Sequence, residues 1–201
     1  MPLVAKAHSV GRCVCIGLGV CVLTLLFAGD TVALPQLLTG TARDVDVALL
    51  LASAYAPLAA RCFGGESLRM EATARRSLGL VDFALLCALA APVGAIVAIA
   101  AVGGDEAFVL NVTRNFAAFI AASLLLLTIA GQTAAAAVPV VYVLVISIAG
   151  ASADGTSPWW ASLRQPATGL STTVALCLAA AALAVFHRWA RYRPHAGLVA
   201  A

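Results

Sequence analysis

A continuous apolar run decides the fold class of this chain: AAFIAASLLLLTIAG, from Ala117 to Gly131. Its apolar residues do not alternate with polar ones as in a half-buried strand, and Ala and Leu favour helix. Such runs recur along all 201 residues, of which 63% are hydrophobic and 10% charged. Soluble domains carry about 25% charged residues. The composition therefore excludes a soluble fold and predicts an all-α, polytopic membrane protein.

Six apolar segments are candidates to cross the bilayer, since roughly 20 helical residues cross a hydrocarbon core of about 30 Å. These six transmembrane helices form a single transmembrane domain over 1–201, with spans at about 11–29, 45–61, 78–102, 114–131, 133–150 and 167–186. Strands are a poor alternative because backbone groups in lipid must be satisfied internally. A cleaved signal peptide is the alternative for the first segment, and a re-entrant pair or one long tilted helix for the fourth and fifth.

The distribution of basic residues predicts that both termini are cytoplasmic. With that orientation nine of the twelve Lys and Arg residues lie inside, and only Arg43, Arg114 and Arg164 lie outside. Cytoplasmic loops of membrane proteins carry such an excess. The net charge of +3 is thinly spread, so nucleic acid is not expected as a partner. The predicted location is the cell membrane.

No sequence pattern of a catalytic, cofactor or metal site is present. The chain contains no Walker loop, no His-Glu-x-x-His, no Gly-x-Ser-x-Gly and no Cys-x-x-Cys. The three histidines, His8, His187 and His195, lie at or beyond the ends of predicted helices. The sequence therefore predicts no enzymatic activity, no cofactor and no metal.

The most polar stretch is the predicted inner loop 61–76, RCFGGESLRMEATARR. Gly64 and Gly65 interrupt the second helix, and Glu71 and Arg75 form a favourable i,i+4 pair on a short helix that follows. One interpretation is a surface helix that docks a soluble partner through Glu66, Arg69, Met70, Glu71, Arg75 and Arg76. The alternative is a solvated loop that only sets the orientation.

Three polar residues fall in or beside the spans: Asp82, Arg114 and Asn115. A charge at mid-bilayer costs about 2.5–3.5 kcal/mol on insertion scales, so such residues often carry a function. Asp82 lies one turn from the inner end of its span, where it either anchors the helix or belongs to a transport pathway. Arg114 either snorkels to the outer surface or faces a cavity and pairs with Asp105 or Glu106.

Aromatic residues at the span ends are predicted to anchor the protein at the two membrane interfaces, where apolar rings with a polar atom are enriched. They are Trp159, Trp160, Trp189 and Tyr192. For the outer Trp pair, a short amphipathic element in the outer leaflet is the alternative.

Small residues on the first span offer a face for close helix packing. Gly11, Cys15 and Gly19 follow one another at four-residue spacing, which places them on one side of a helix. Three prolines are expected to kink their helices because each removes one backbone hydrogen bond. They are Pro57, Pro92 and Pro139.

Several short motifs give the chain a resemblance to a known family. They are Arg114-Asn115 at the start of the fourth span, Val138-Pro139 in the fifth and Pro158-Trp159-Trp160 before the sixth. With six spans and a charged inner loop, the chain resembles small permease-like membrane proteins of actinobacteria. The class it resembles is the type-2 permease of ATP-binding-cassette (ABC) exporters.

The resemblance implies a permease subunit that pairs with itself as a homodimer or with a sister permease. It also implies a separate ATPase that docks on a coupling helix, which corresponds here to residues 66–76. The short segment before the first span departs from the family pattern. A non-transporting membrane scaffold, assembled through the small-residue faces, is therefore the second hypothesis. A proton-coupled carrier is disfavoured because Asp82 is the only carboxylate predicted within a span.

Overall fold

The protein is a helical bundle with one small hairpin. The computed structural model describes residues 2–35, 42–63, 78–149 and 159–192. The helices are α1 (Pro2–Leu26), α2 (Val47–Ser53), α3 (Tyr55–Phe63), α4 (Leu78–Val102), α5 (Glu106–Ile129), α6 (Gly131–Ala149) and α7 (Gly169–Tyr192). The strands are β1 (Thr31–Pro35) and β2 (Ala42–Asp46), and a 3₁₀ helix spans Trp159–Arg164.

Three of the described helices are long and apolar enough to cross a membrane. They are α5, α6 and the Gly169–Trp189 part of α7. Shorter apolar helical stretches cover Gly11–Leu26, Val47–Phe63 and Cys87–Val102. These helices support a membrane protein, as the composition predicts. The full count of six crossings and the side of each terminus stay predictions.

The central element of the bundle is α5, which packs against α2, α3, α4, α6 and α7. Two apolar clusters form around its two halves. The first surrounds Val112, Phe116 and Phe119, and the second surrounds Ala121, Leu124 and Leu127. Because van der Waals packing and interhelical hydrogen bonds hold membrane helices together, α5, which packs against five other helices, organises the bundle.

The strands correct the expectation of a purely helical chain. β1 and β2 are antiparallel, with Thr31 opposite Asp46 and Val32 opposite Val45. They lie between α1 and α2, and β2 includes the first two residues of the predicted span 45–61; two short segments can satisfy each other's backbone groups there as a hairpin. The side chain of Val45 is buried and that of Val32 is exposed, so only β2 contributes to the core. A search for continuous apolar runs does not detect strands this short.

The second predicted span, 45–61, is not one helix. It begins at the end of β2 and is divided into α2 and α3 at Ala54, whose N–H donates to the carbonyl oxygen of Leu51 (3.0 Å). Pro57 explains the position of the break, because its ring clashes with the carbonyl four residues earlier, at Ser53, and removes the hydrogen bond to it. By contrast, α4 and α6 continue through Pro92 and Pro139.

The predicted ends of the fourth and fifth segments are also revised. α5 begins at Glu106, eight residues before Arg114, so Arg114 lies about two turns inside the helix rather than at its start. α6 begins at Gly131, two residues before the predicted start of the fifth segment at 133, and only Ala130 separates it from α5. Gly131 has φ +85°, a left-handed conformation that glycine adopts without steric cost.

The packed face of α1 is not the one expected from its small residues. A Cβ added to Gly11 or Gly19 would have no atom within 4 Å, and Cys15 is exposed. The buried face instead carries Cys13, Gly17, Cys21 and Thr24. This difference arises because Tyr55 of α3 lies against Gly17, as its hydroxyl donates to the Gly17 carbonyl oxygen (3.2 Å) and lies 3.1 Å from the Cys21 sulfur.

Candidate functional site

Arg114 is buried inside the helical bundle, with 4% of its surface exposed. Its Nε donates to Oδ1 of Asn115 (3.2 Å), and its Nη2 donates to Oδ1 of Asn111 (3.5 Å) and to the Leu163 carbonyl oxygen (2.8 Å). All three acceptors are neutral oxygens. Hydrogen bonds to an ionised donor are stronger than neutral ones, so this set holds the guanidinium in one orientation.

The same region of α5 also fixes the segment that leads into α7. Oδ1 of Asn111 accepts a hydrogen bond from the Ala167 N–H (2.8 Å), and the Leu110 carbonyl oxygen accepts one from the Thr172 hydroxyl (3.3 Å). Together with the bond from Arg114 to Leu163, these contacts fasten the 3₁₀ helix and the start of α7 to one side of α5. The position of Arg114 therefore depends on contacts between elements far apart in the sequence.

A groove begins at Arg114 and runs along α5 between α6 and α7. Its volume is about 620 Å³. The floor is formed by α5 side chains, including Ala118, Ala122 and Leu126, and one wall by Val138 and Tyr142 of α6. The 3₁₀ helix and α7 form the rest of the lining, and the polar residues at that side are Ser162, Thr168 and Ser171.

Polar and apolar lining residues occupy different parts of the groove. Arg114 and Tyr142 lie near the segment that leads into α7, and Tyr142 is hydrogen-bonded to Ser162 there. Beyond them the lining is apolar as far as Leu126 and Leu178. A site of this kind can hold a molecule with one polar end and one apolar end. Its size lies within the range of about 300–1,000 Å³ usual for ligand sites.

The groove opens towards the outside of the bundle between exposed apolar side chains. Val138 on α6 and Leu170, Val174 and Leu178 on α7 are all exposed and all line the groove. Large exposed apolar patches mark binding sites or contact with membrane. Since α6 and α7 are candidate membrane spans, a molecule in this groove would be in contact with the hydrocarbon of the bilayer.

The structure decides between the two interpretations of Arg114. The residue is buried and lines a cavity, so snorkelling to the surface is excluded. The predicted partners are wrong, however. Asp105 instead caps α5 by accepting a hydrogen bond from the Phe108 N–H (2.9 Å), and the carboxylate that acts electrostatically on Arg114 is Asp46.

Arg114 and Asn115 are thus brought together, while the other residues of this site were missed by the sequence analysis. Asn111 could have been found, because it lies three residues before Arg114 on the same helix face. Tyr142 is a polar group in an apolar run and gives a weaker signal. The Leu163 carbonyl gives no signal at all, since every residue offers the same backbone carbonyl group.

The remaining predicted site residues fall elsewhere. The docking residues Glu66, Arg69, Met70, Glu71, Arg75 and Arg76 lie outside the described residues. The backbone of Asp82 belongs to α4, that of Trp159 and Trp160 to the 3₁₀ helix and that of Tyr192 to α7, and their side chains are outside the described part.

Trp189 is half-buried, with its ring centroid 5.7 Å from that of Phe186. Phe186 in turn lies 5.3 Å from Phe63 in an edge-to-face arrangement. Trp189 therefore continues an aromatic cluster that joins the end of α3 to the end of α7. In the part of the chain that the structure describes, no group of three His, Cys, Asp or Glu side chains could hold a metal ion.

Comparison with known proteins gave no match to a family model, to a curated protein or to a solved structure.

Proposed function

We propose that the chain is the membrane permease subunit of an ABC exporter for amphiphilic cargo, powered by a separate ATPase. The observation that carries this proposal is the groove between α6 and α7, polar at Arg114, apolar beyond it and open between exposed apolar side chains. A subunit that moves amphiphiles needs a site which such molecules can reach from the bilayer. No catalytic role is assigned to any residue.

The helix arrangement also supports the proposal. The apolar cluster around Phe116 joins Cys21, Leu49 and Ile146, and the other cluster joins Phe63, Ala135 and Phe186. Successive long helices therefore alternate in direction, as they would if each crossed the membrane. With the excess of Lys and Arg on one side, this arrangement favours cytoplasmic termini in the cell membrane.

In the proposed complex the ATPase binds the loop 61–76. Its coupling helix would present Glu66, Arg69, Met70, Glu71, Arg75 and Arg76. A soluble ATPase that docks there would be attracted by complementary charge, and reversal of that charge weakens such encounters. The permease would act as a homodimer or beside a sister permease.

The test is co-purification from the native membrane. The tagged chain is expected to retain an ATPase, and R69E/R75E is expected to lose it. The matched control is R188E/R191E, which reverses two charges predicted to lie on the same side of the membrane but outside the loop. Failure of the unaltered chain to retain any ATPase would refute the proposal, as would equal loss in the control.

The second candidate function is a non-transporting membrane scaffold. The specific observation in its favour is the face of α1 formed by Gly11, Cys15 and Gly19, which is exposed. Small residues allow close helix approach in membranes. If the scaffold hypothesis is correct, G11L/G19L will abolish a stable complex with another membrane protein, and no ATPase will be present in that complex.

A further inference from the structure

We infer that the groove between α6 and α7 binds an anionic lipid from one leaflet, with its acidic headgroup at Arg114 and an acyl chain along α5. The interpretation of this lipid as transported cargo rests on the proposed permease function. The binding of the lipid in the groove does not depend on that function. Three properties of the described residues lead to this ligand: charge, length and access.

The charge at the Arg114 end of the groove favours an anion. Arg114 lies within the bundle, yet among the described residues its hydrogen bonds go to neutral acceptors and use its Nε and Nη2. The exposed Asp46 acts on it electrostatically without forming one of these bonds. A guanidinium matches phosphate and carboxylate oxygens in geometry and stays charged. An acidic group at this end of the groove would compensate the buried charge.

Hydroxyl groups surround the same end. Thr168 and Ser171 at the start of α7 and Ser162 of the 3₁₀ helix line the groove together with Tyr142. Thr168 and Ser171 already bond to each other, with the Ser171 hydroxyl oxygen 2.9 Å from the Thr168 N–H and the Thr168 hydroxyl oxygen 3.2 Å from the Ser171 N–H. The Ser171 hydroxyl already donates to the Thr168 carbonyl oxygen (3.0 Å), so it can only accept a further bond, whereas the Thr168 hydroxyl can still donate one. These hydroxyl groups suit the polar glycerol part of a lipid headgroup.

The length of the groove fits one leaflet. From Arg114 to Leu126 the floor covers twelve helical steps, or about 18 Å at 1.5 Å per residue. Half of a hydrocarbon core of about 30 Å is roughly 15 Å. A lipid with its headgroup at Arg114 would thus extend its chain to about the middle of the bilayer. A small water-soluble anion would leave the apolar part unfilled.

Access is through the side of the bundle. Leu170 is 77% exposed and Leu178 is 55% exposed, and both border the groove. A lipid can therefore enter laterally without exposing its chain to water. The second chain of a two-chain lipid would remain in the bilayer beside these residues, where it buries no additional polar group.

The experiment is native mass spectrometry of the full-length chain in detergent with dioleoylphosphatidylglycerol and dioleoylphosphatidylcholine at equal concentration. The two lipids have the same chains and differ in headgroup charge. The chain is expected to retain the anionic lipid about tenfold or more over the zwitterionic one, a ratio equivalent to about 1.4 kcal/mol. Both lipids carry an ionised phosphate, but the choline cation of the zwitterionic lipid offsets that charge, whereas the anionic lipid keeps a net negative charge beside the buried guanidinium. R114Q is expected to reduce this preference to about one.

A second variant separates lipid binding from the stability of the Arg114 hydrogen bonds. A122F places a ring on the floor of the groove while Arg114 is unchanged, and it is expected to reduce retention of both lipids. The matched control is A137F, on the exposed face of α6 outside the groove, which should bind as the unaltered chain does. R12Q removes an exposed arginine and controls for general charge attraction.

The inference would be overturned by equal retention of both lipids by the unaltered chain, by an unchanged preference in R114Q, by unchanged retention in A122F, or by complete displacement of the lipid by glycerol phosphate at equal concentration. The last result would identify a site for a free anion. The inference would also be overturned if a second copy of the chain occupied the groove. In that case the unaltered chain would form a dimer without bound lipid, and A122F would not form it. No ATPase is present in this assay, so its failure is distinct from failure of the proposed permease function.

Discussion

The contact between α1 and α3 gives a prediction that can be worked out from the distances around Tyr55. This residue is fully buried, and its hydroxyl would lie 3.1 Å from a Cβ added to Gly17. The next nearest atom is Cζ of the same ring, at 3.6 Å, which is an ordinary van der Waals distance. The steric conflict of G17A is therefore with one oxygen atom, and Y55F should remove it.

Two opposing effects determine how much each alanine substitution changes the free energy of unfolding. Replacing Gly by Ala inside a helix contributes about 1 kcal/mol of stability, whereas overpacking a core costs about 1–3 kcal/mol. G19A gives the first effect alone, since its Cβ would meet nothing within 4 Å. The gain of about 1 kcal/mol is common to both variants, so we expect G17A to be less stable than G19A by the overpacking cost, about 1–3 kcal/mol. Y55F alone should cost about 0.6 kcal/mol, the average of a hydrogen bond between membrane helices.

The assay is reversible unfolding in mixed micelles by titration with sodium dodecyl sulfate, followed by far-ultraviolet circular dichroism. The free energy of unfolding is measured for G17A and G19A, each alone and each combined with Y55F. The difference between the two alanine variants should disappear when Y55F is present. If it persists, the clash is not with the hydroxyl; if it is absent without Y55F, α3 does not pack on Gly17 as described.

Three further predictions concern single contacts. N111L should destabilise the protein by about 1–3 kcal/mol, because it leaves the Ala167 N–H without its acceptor. N111D keeps an acceptor and should cost less, and hydrogen exchange at the Ala167 amide measures both effects. D105A should cost about 0.5–2 kcal/mol through loss of the cap to the Phe108 N–H, and D105N much less, as measured by thermal unfolding in detergent. G131A should lower the free energy of unfolding by roughly 1 kcal/mol more than G131N does, because φ at Gly131 is +85°. Thermal unfolding in detergent measures both variants, and equal effects would contradict the described turn.

The location of most helices could be predicted because the apolar runs are long and continuous. α4 covers the same residues as the third predicted segment, 78–102, and α6 differs from the fifth segment by two residues at its start and one at its end. Backbone groups surrounded by apolar side chains and lipid have few partners other than each other, so a helix is the local solution. The hairpin and the break at Ala54 were missed because they depend on short segments and on the effect of one proline.

The candidate site shows a different limit. Arg114 and Asn115 were identified because a charge inside an apolar run is costly and therefore noticeable. The groove beside them could not be predicted. Its lining comes from α5, α6, the 3₁₀ helix and α7, and Leu163, whose carbonyl orients Arg114, is 49 residues away in the chain.

The amino-acid sequence by itself determined the class of the protein, its helical segments and the presence of one arginine among apolar residues. These properties depend on composition and on neighbours within a few turns, where the cost of exposing apolar surface or breaking backbone hydrogen bonds acts locally. Only the tertiary structure decided that Gly17 rather than Gly19 faces Tyr55, and that Arg114 opens onto a groove rather than onto the surface. Both outcomes depend on how whole helices pack, and many helix rotations would satisfy the local rules equally well.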